Sequence, residues 1–192
     1  MKLPILKITK SEWISFVLTL IATLIGVLIA IWLSNSQVKK KEKADSIKLL
    51  QTARLIMQDT YRYTNALHNT ILEMEQDTSV NRIENVKSNN PIPYPHLVET
   101  IISNDLVSKN ISEYSHSAIY INLINAKKIA NYDMVACYKN HLEKMILLVS
   151  LEIDYLNGKI GSQELESDYE SGEVKIEDGS CSDESILKIE ID

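Results

Sequence analysis

The feature that most constrains this chain is an uncharged, apolar run from Trp13 to Leu33. In an α-helix, which rises 1.5 Å per residue, Trp13 and Trp32 would stand about 28 Å apart, close to the roughly 30 Å hydrocarbon thickness of a bilayer. Indole rings favour the headgroup region, so the two tryptophans are expected at opposite membrane interfaces. The run predicts a transmembrane helix over residues 13–33, after a short flank over residues 1–12.

A cleaved secretory signal is the alternative interpretation of this run. The apolar region of a signal is typically 7–15 residues long and ends at a small-x-small cleavage site. Here the run is longer, and the bulky Trp32 stands just before Ser34 and Ser36. We therefore expect an uncleaved, single-pass anchor.

Lysines on the two sides of the span bear on its orientation. Cytoplasmic flanks carry an excess of Lys and Arg, and the flank after the span holds more lysines than the flank before it. This bias favours a cytoplasmic domain after the span. Lys far exceeds Arg, and Ile and Asn are abundant, as in proteins from AT-rich genomes, so we expect a bacterial protein of the inner (plasma) membrane. The lysines expected at the membrane interface, beside Trp13 and Trp32, are Lys39, Lys40, Lys41 and Lys43.

Small residues mark one face of the predicted span. Ala22, Gly26 and Ala30 recur every four residues, which allows two helices to approach closely, and Thr19 and Thr23 could hydrogen-bond across such a contact. The pattern predicts helix–helix packing at these three residues and a homo-oligomer formed through the span.

The segment after the span reads as one long juxtamembrane helix over residues 34–77. It contains no Pro or Gly up to residue 77, and its apolar residues recur at helical spacing, as in a coiled coil or an amphipathic bundle helix. The membrane helix is able to continue directly into it. The predicted stripe consists of Ile47, Leu50, Ala53, Met57, Tyr61, Leu67, Ile71 and Met74.

A Pro/Asn-rich linker is predicted over residues 78–95, because alternating prolines at its end fix an extended backbone. A helical bundle follows over residues 96–158. Asn110 is the expected N-cap of one bundle helix, which would turn Tyr114, Ala118, Ile121, and Ile124 or Ile129 inward. The last bundle helix is expected to end at Gly158 and to bury Val135, Tyr138, Leu142, Met145, Val149, Ile153 and Leu156. The predicted class is all-α, with an antiparallel bundle.

The remaining residues, 159–192, form an acidic tail that is expected to be largely disordered. From Gln163 onward there are 11 acidic residues against two lysines, whereas the preceding chain is slightly basic. Residues 173–177 and 187–191 alternate apolar and charged side chains, so a short terminal β-hairpin is the alternative. Cys137 and Cys181 have no metal-binding or redox spacing, and we expect both to be reduced thiols.

No pattern in the chain points to catalysis. Its glycines cannot build a phosphate-binding loop or a dinucleotide fingerprint. Glu113 and His116 share the Glu-x-x-His spacing of bundle di-iron sites, but the second copy that such sites need is missing. The tyrosines are spaced as helix-core positions and not as a base-stacking platform. We expect no enzyme, no cofactor, no metal and no nucleic-acid partner.

The sequence resembles no family that its motifs would identify. The function it favours is a membrane-tethered helical interaction module that self-associates, with the lipid bilayer and an unknown protein as partners. One alternative is an effector that perturbs the membrane in a bacterial stress or anti-phage response. A bundle-core metal enzyme is the other alternative.

Overall fold

A computed structural model describes residues 9–75, 80–131 and 134–172, and over these residues the chain is helical and contains no strand. This confirms the all-α class. The two stretches considered for a hairpin lie outside the described residues. In chain order the helices are α1 (Lys10–Glu75), α2 (Val80–Asn89), α3 (His96–Ile102), α4 (Asp105–Asn110), α5 (Glu113–Lys128), α6 (Val135–Leu156) and α7 (Ser162–Ser171).

The chain divides into two compact units, residues 1–42 and 43–192. The described part of the first unit is the beginning of α1, which starts with a capping box. The Thr9 backbone N–H and hydroxyl donate to Glu12 Oε2 at 2.7 and 2.9 Å, and the Thr9 hydroxyl accepts from the Glu12 N–H at 3.4 Å. These bonds, above all that from the Thr9 backbone, lower the pKa of Glu12. The cap fixes the helix start one turn before Trp13.

The second unit begins within α1, which continues without interruption to Glu75. Its amphipathic stripe is confirmed, since none of the eight predicted residues is exposed. Leu50, Ala53, Met57 and Ile71 are buried and the other four are half-buried. Apolar burial every three to four residues therefore holds this part of α1 on the bundle.

Helix α6 lies at the centre of the bundle and packs against α5 and α7. All seven of its predicted core residues are buried, from Val135 to Leu156. Gly158 ends it as predicted, with φ +73°, a backbone conformation that glycine adopts without strain. The Gly158 N–H donates to Tyr155 O and the Lys159 N–H to Asp154 O, both at 2.9 Å, which satisfies the last carbonyls of α6.

Helix α5 differs from the prediction at its start and on its inward face. Its N-cap is Ser112 rather than Asn110, because the Ser112 hydroxyl accepts from the Ser115 N–H at 3.2 Å. Of the predicted inward residues, Ile121 and Ile124 are 57% and 42% exposed, whereas Ile129, the alternative to Ile124, is buried. Tyr114 and Ala118 are half-buried. The face that α5 buries instead consists of Ser115, Ile119, Asn122, Leu123 and Ala126.

The range expected to be a linker, residues 78–95, is partly helical. Helix α2 occupies Val80–Asn89, and its Ile83 and Val86 are half-buried at a three-residue spacing that suits one helix face. Within the described residues 80–95, the part without helix or strand is the Pro-containing end, as its prolines require.

Ten residues of the range expected to be a disordered tail also form a helix, α7. Leu165 is 1% exposed and Tyr169 half-buried, four residues further along the same face. This single apolar pair packs α7 on the bundle despite its acidic composition. The chain after Gly172 lies outside the described residues.

Candidate functional site

The apolar run is the first candidate surface, and it is exposed along its whole length. Every residue from Lys10 to Leu33 is exposed except Val17, which is half-buried. By length and composition α1 is able to cross a membrane, and none of its apolar window is buried. A helix in the core of a soluble domain would be mostly buried, whereas a signal sequence would look the same. In the described structure this surface is therefore uncovered, and it is available to contact lipid or another protein chain.

The residues assigned to the membrane interface lie at the two ends of this surface. Trp13 is 58% and Trp32 70% exposed, and the Trp13 ring stacks on Phe16 with 5.8 Å between ring centroids. The side chains that follow the run are exposed as well, namely Lys39, Lys40, Lys41 and Lys43. The aromatic and basic groups are thus free to face headgroups at both ends of a span.

The small-residue face is open. Ala22, Gly26 and Ala30 are all exposed, and a Cβ added at Gly26 would meet no atom within 4 Å. Residues four apart stack along one side of a helix, so the three form a shallow, continuous strip. A second helix could approach closely along this strip, as in small-xxx-small contacts.

The threonines beside this strip do not fit their expected role as donors across a helix contact. The Thr19 hydroxyl donates to Ser15 O and the Thr23 hydroxyl to Thr19 O, each at 2.8 Å. Each donor is therefore satisfied by the preceding turn of its own helix. The strip therefore permits close packing of a second helix, but these hydroxyls donate no hydrogen bond to it.

Two polar clusters lie inside the bundle, and the first is centred on Glu152 of α6. Its carboxylate is fully buried and accepts from the Ser112 N–H at 2.9 Å and from the Ser112 hydroxyl at 2.7 Å. Ser112 in turn caps α5, so Glu152 places a carboxylate at the positive end of that helix. Ser115 Oγ is buried close by in sequence and has no hydrogen-bond partner in the described part of the chain. The cluster joins α5 to α6.

The second cluster joins α5, α6 and α7 through Asn122. Its Oδ1 lies 2.8 Å from Nδ1 of His141, and its Nδ2 donates to Ala118 O at 2.8 Å and to the Tyr169 hydroxyl at 3.3 Å. The Tyr169 ring also contacts Tyr114 edge to face. Apolar periodicity could not reveal these partners, which are separated by up to 47 residues. Both clusters connect helices, since Glu152 and Asn122 each hydrogen-bond to a residue of another helix or to its cap.

A groove of about 220 Å³ opens on the bundle surface between α3, α5 and the proline segment, and we call it the α5 groove. The Lys127 ammonium lies 5.6 Å from the centre of the Tyr94 ring, and the Tyr94 hydroxyl donates to Glu99 Oε2 at 3.4 Å. Burial, then the Glu99 charge, raises the pKa of Tyr94 to about 12. The groove is lined by Tyr94, Glu99, Tyr120, Leu123, Ile124, Lys127 and Lys128.

Two further features concern possible metal ligands and Cys137. Across residues 9–75, 80–131 and 134–172, no three His, Cys, Asp or Glu side chains are grouped as metal ligands, and this range includes Glu113 and His116. Cys137, expected to be a reduced thiol, is disulfide-bonded. Sequence spacing could not show this, because a bond between distant cysteines depends on the fold.

No protein-family model, curated protein or solved structure matches this chain.

Proposed function

We propose that this chain is a single-span protein of the bacterial plasma membrane that presents a helical bundle as a non-enzymatic interaction module. The exposure of every residue of the apolar run except Val17, in a chain whose bundle has its own core, is the observation that carries this proposal. The run contains 13 Leu, Ile, Val or Phe residues. At 0.3–0.6 kcal/mol each, their insertion into a bilayer is favourable by about 4–8 kcal/mol.

Self-association through the strip of Ala22, Gly26 and Ala30 is the second part of the proposal. The open space around Gly26 supports it, since a partner helix needs such space for close approach. In a membrane two-hybrid assay, Gly26→Ile should weaken association strongly. Leu28→Phe, an enlargement on the opposite face, should leave association unchanged, and so should Thr23→Val, because that hydroxyl is satisfied within its own helix. Equal association of Gly26→Ile and the wild type would contradict this route.

Two observations bear on the orientation and point in opposite directions. The lysine bias favours a cytoplasmic bundle, but it is only five residues against three. The disulfide at Cys137 favours an oxidising compartment, because cytosolic thiols are kept reduced. We propose that the bundle lies on the non-cytoplasmic side, since the disulfide concerns the folded bundle itself.

Reporter fusions after Asp192 test this orientation. A reporter that is active only outside the cytoplasm, such as a periplasmic phosphatase, should be active, and one that works only in the cytoplasm should be silent. The opposite pattern would show that the bundle is cytoplasmic, as the lysine bias predicts. N-terminal sequencing of the membrane-extracted protein separates an anchor from a signal, because cleavage after the apolar run would remove the span.

A further inference from the structure

Helix α5 exposes a stripe of side chains that has the spacing of a coiled-coil seam. The exposed residues recur in steps of four and three, which keeps them in line along one side of the helix. Ile121 is exposed beside the middle of this stripe. We call this surface the α5 face, and besides Ile121 it consists of Glu113, Ser117, Tyr120, Ile124 and Lys127.

The middle of the α5 face is apolar. Tyr120, Ile121 and Ile124 are 44%, 57% and 42% exposed, although α5 turns a different side toward the bundle core. Leu97 is 64% exposed on α3, a helix that packs against α5. Large apolar side chains that are grouped on the surface of a folded domain mark an interaction site.

Charges of opposite sign flank this apolar middle. Glu113 lies in the first turn of α5 and Lys127 in its last turn, about 21 Å away along the helix. The Lys127 ammonium lies 5.6 Å from the centre of the Tyr94 ring, a contact that keeps its positive charge. The helix dipole favours this order of charges, but it does not explain why the residues between them are apolar and exposed.

We propose that the α5 face binds the α5 face of a second copy of this chain, with the two helices antiparallel about a two-fold axis near Tyr120. A two-fold contact is formed by the same surface on both copies, so that surface has to be complementary to itself. Glu113 and Lys127 stand equally far before and after Tyr120 in the sequence. In an antiparallel pair each therefore lies level with its opposite charge on the other copy, whereas a parallel pair would place like charges together.

The same charges argue against a lipid surface as the occupant. An anionic bilayer would attract Lys127 but repel Glu113, whereas a second α5 accommodates both. This inference names a partner for the bundle and rests on its proposed role as an interaction module. It does not involve the strip of Ala22, Gly26 and Ala30, so the two contacts can be tested separately.

Zero-length crosslinking of the full-length protein in detergent micelles tests the antiparallel order. A carbodiimide joins a carboxylate to an amine only where the two groups touch. Because Glu113 and Lys127 are about 21 Å apart on one helix, an amide between them can form only between two copies. Mass spectrometry of the peptides should find this amide, and Glu113→Gln should abolish it. Its absence from the wild type would overturn the proposal.

Sedimentation equilibrium in the same detergent measures the strength of the contact. Ile121→Glu places two carboxylates near the two-fold axis and should raise the dissociation constant of the dimer about tenfold or more. Leu55→Glu is the matched control, since Leu55 is 59% exposed on α1 and lies outside the α5 face, and it should have no effect. Circular dichroism checks that both variants are folded. Equal effects of the two substitutions would contradict the contact.

A charge exchange tests the pairing of the two ends. Lys127→Glu should weaken the dimer about two- to tenfold, because the dimer contains this exposed ion pair twice. The double variant Glu113→Lys/Lys127→Glu should restore the wild-type dissociation constant. If it does not, the proposed pairing of Glu113 with Lys127 is wrong.

Two comparisons separate this contact from lipid binding and from association through the span. With p-benzoylphenylalanine at position 121 in lipid nanodiscs, crosslinks should fall in α5 of a second copy, and crosslinks to lipid alone would overturn the proposal. A loss of association with Gly26→Ile but not with Ile121→Glu would overturn the α5 contact and leave the span contact in place. The opposite result would support the α5 contact and exclude the span contact.

Discussion

The two parts of helix α1 have the same backbone and opposite patterns of burial. Between residues 13 and 33 apolar side chains surround the helix on all sides and all are exposed apart from Val17. From residue 43 onward most apolar side chains lie on one stripe that is covered by the bundle, although Leu55 and Leu72 are exposed. The difference shows that the angular distribution of apolar residues, more than helix propensity, decides which environment a helical segment requires.

Polar groups follow the same division. In the apolar run, the hydroxyls of Thr19 and Thr23 donate to their own helix, so that segment needs no polar partner from outside. In the bundle, Glu152 and Asn122 bond to other helices, so each depends on the tertiary fold. Substitutions in the apolar run should therefore be tested by measuring self-association. Substitutions in the bundle should be tested by measuring the free energy of unfolding.

The largest difference is expected for one kind of substitution made in both regions. Leu142→Ala removes a fully buried side chain from α6 and should destabilise the bundle by about 2–5 kcal/mol. Leu28→Ala, at a residue 64% exposed in the run, should leave the bundle's unfolding free energy unchanged. Urea unfolding in detergent, followed by circular dichroism, measures both. A comparable loss from Leu28→Ala would mean that the run contributes to the bundle core.

A smaller effect is expected from the buried carboxylate. Glu152→Ala leaves the N–H and hydroxyl of Ser112 without their acceptor, which should destabilise the bundle by about 1–3 kcal/mol. The exposed Glu73→Ala on α1 is the matched control and should change stability by less than about 0.5 kcal/mol. Equal effects of the two substitutions would show that Glu152 has no capping role in solution.

The sequence predicted the helices whose buried face is mostly apolar. The stripes of α1 and α6 follow helical spacing, and Gly158 ends α6 where a left-handed residue is required. The face of α5 could not be predicted in this way, because Asn122 and Ser115 are buried while Ile121 is exposed. Polar partners far apart in the chain decided that face.

The candidate surfaces also differ in whether they depend on local spacing or on contacts between distant residues. The apolar run and its small-residue strip depend on local spacing and were readable from the sequence. The α5 groove and the bond at Cys137 depend on contacts between distant residues, as the bond from Tyr138 to Pro93 illustrates. The helical part of the tail was missed because a single pair, Leu165 and Tyr169, holds it on the bundle.

The smallest expected effect is a pH dependence that belongs to the bundle alone. A hydrogen bond to the Glu143 carboxylate, followed by burial, raises the pKa of Tyr61 from 10 to about 12. Folding thus favours the neutral phenol, so this stabilisation is fully present below pH 10 and is lost as pH rises from 10 to about 12. Tyr61→Phe should reduce the loss of stability over that range, and Tyr63→Phe, at an exposed neighbour, is the control. The test is the free energy of unfolding measured between pH 8 and 12. If it changed with pH by the same slope in the wild type and in Tyr61→Phe, the hydrogen bond to Glu143 would be ruled out.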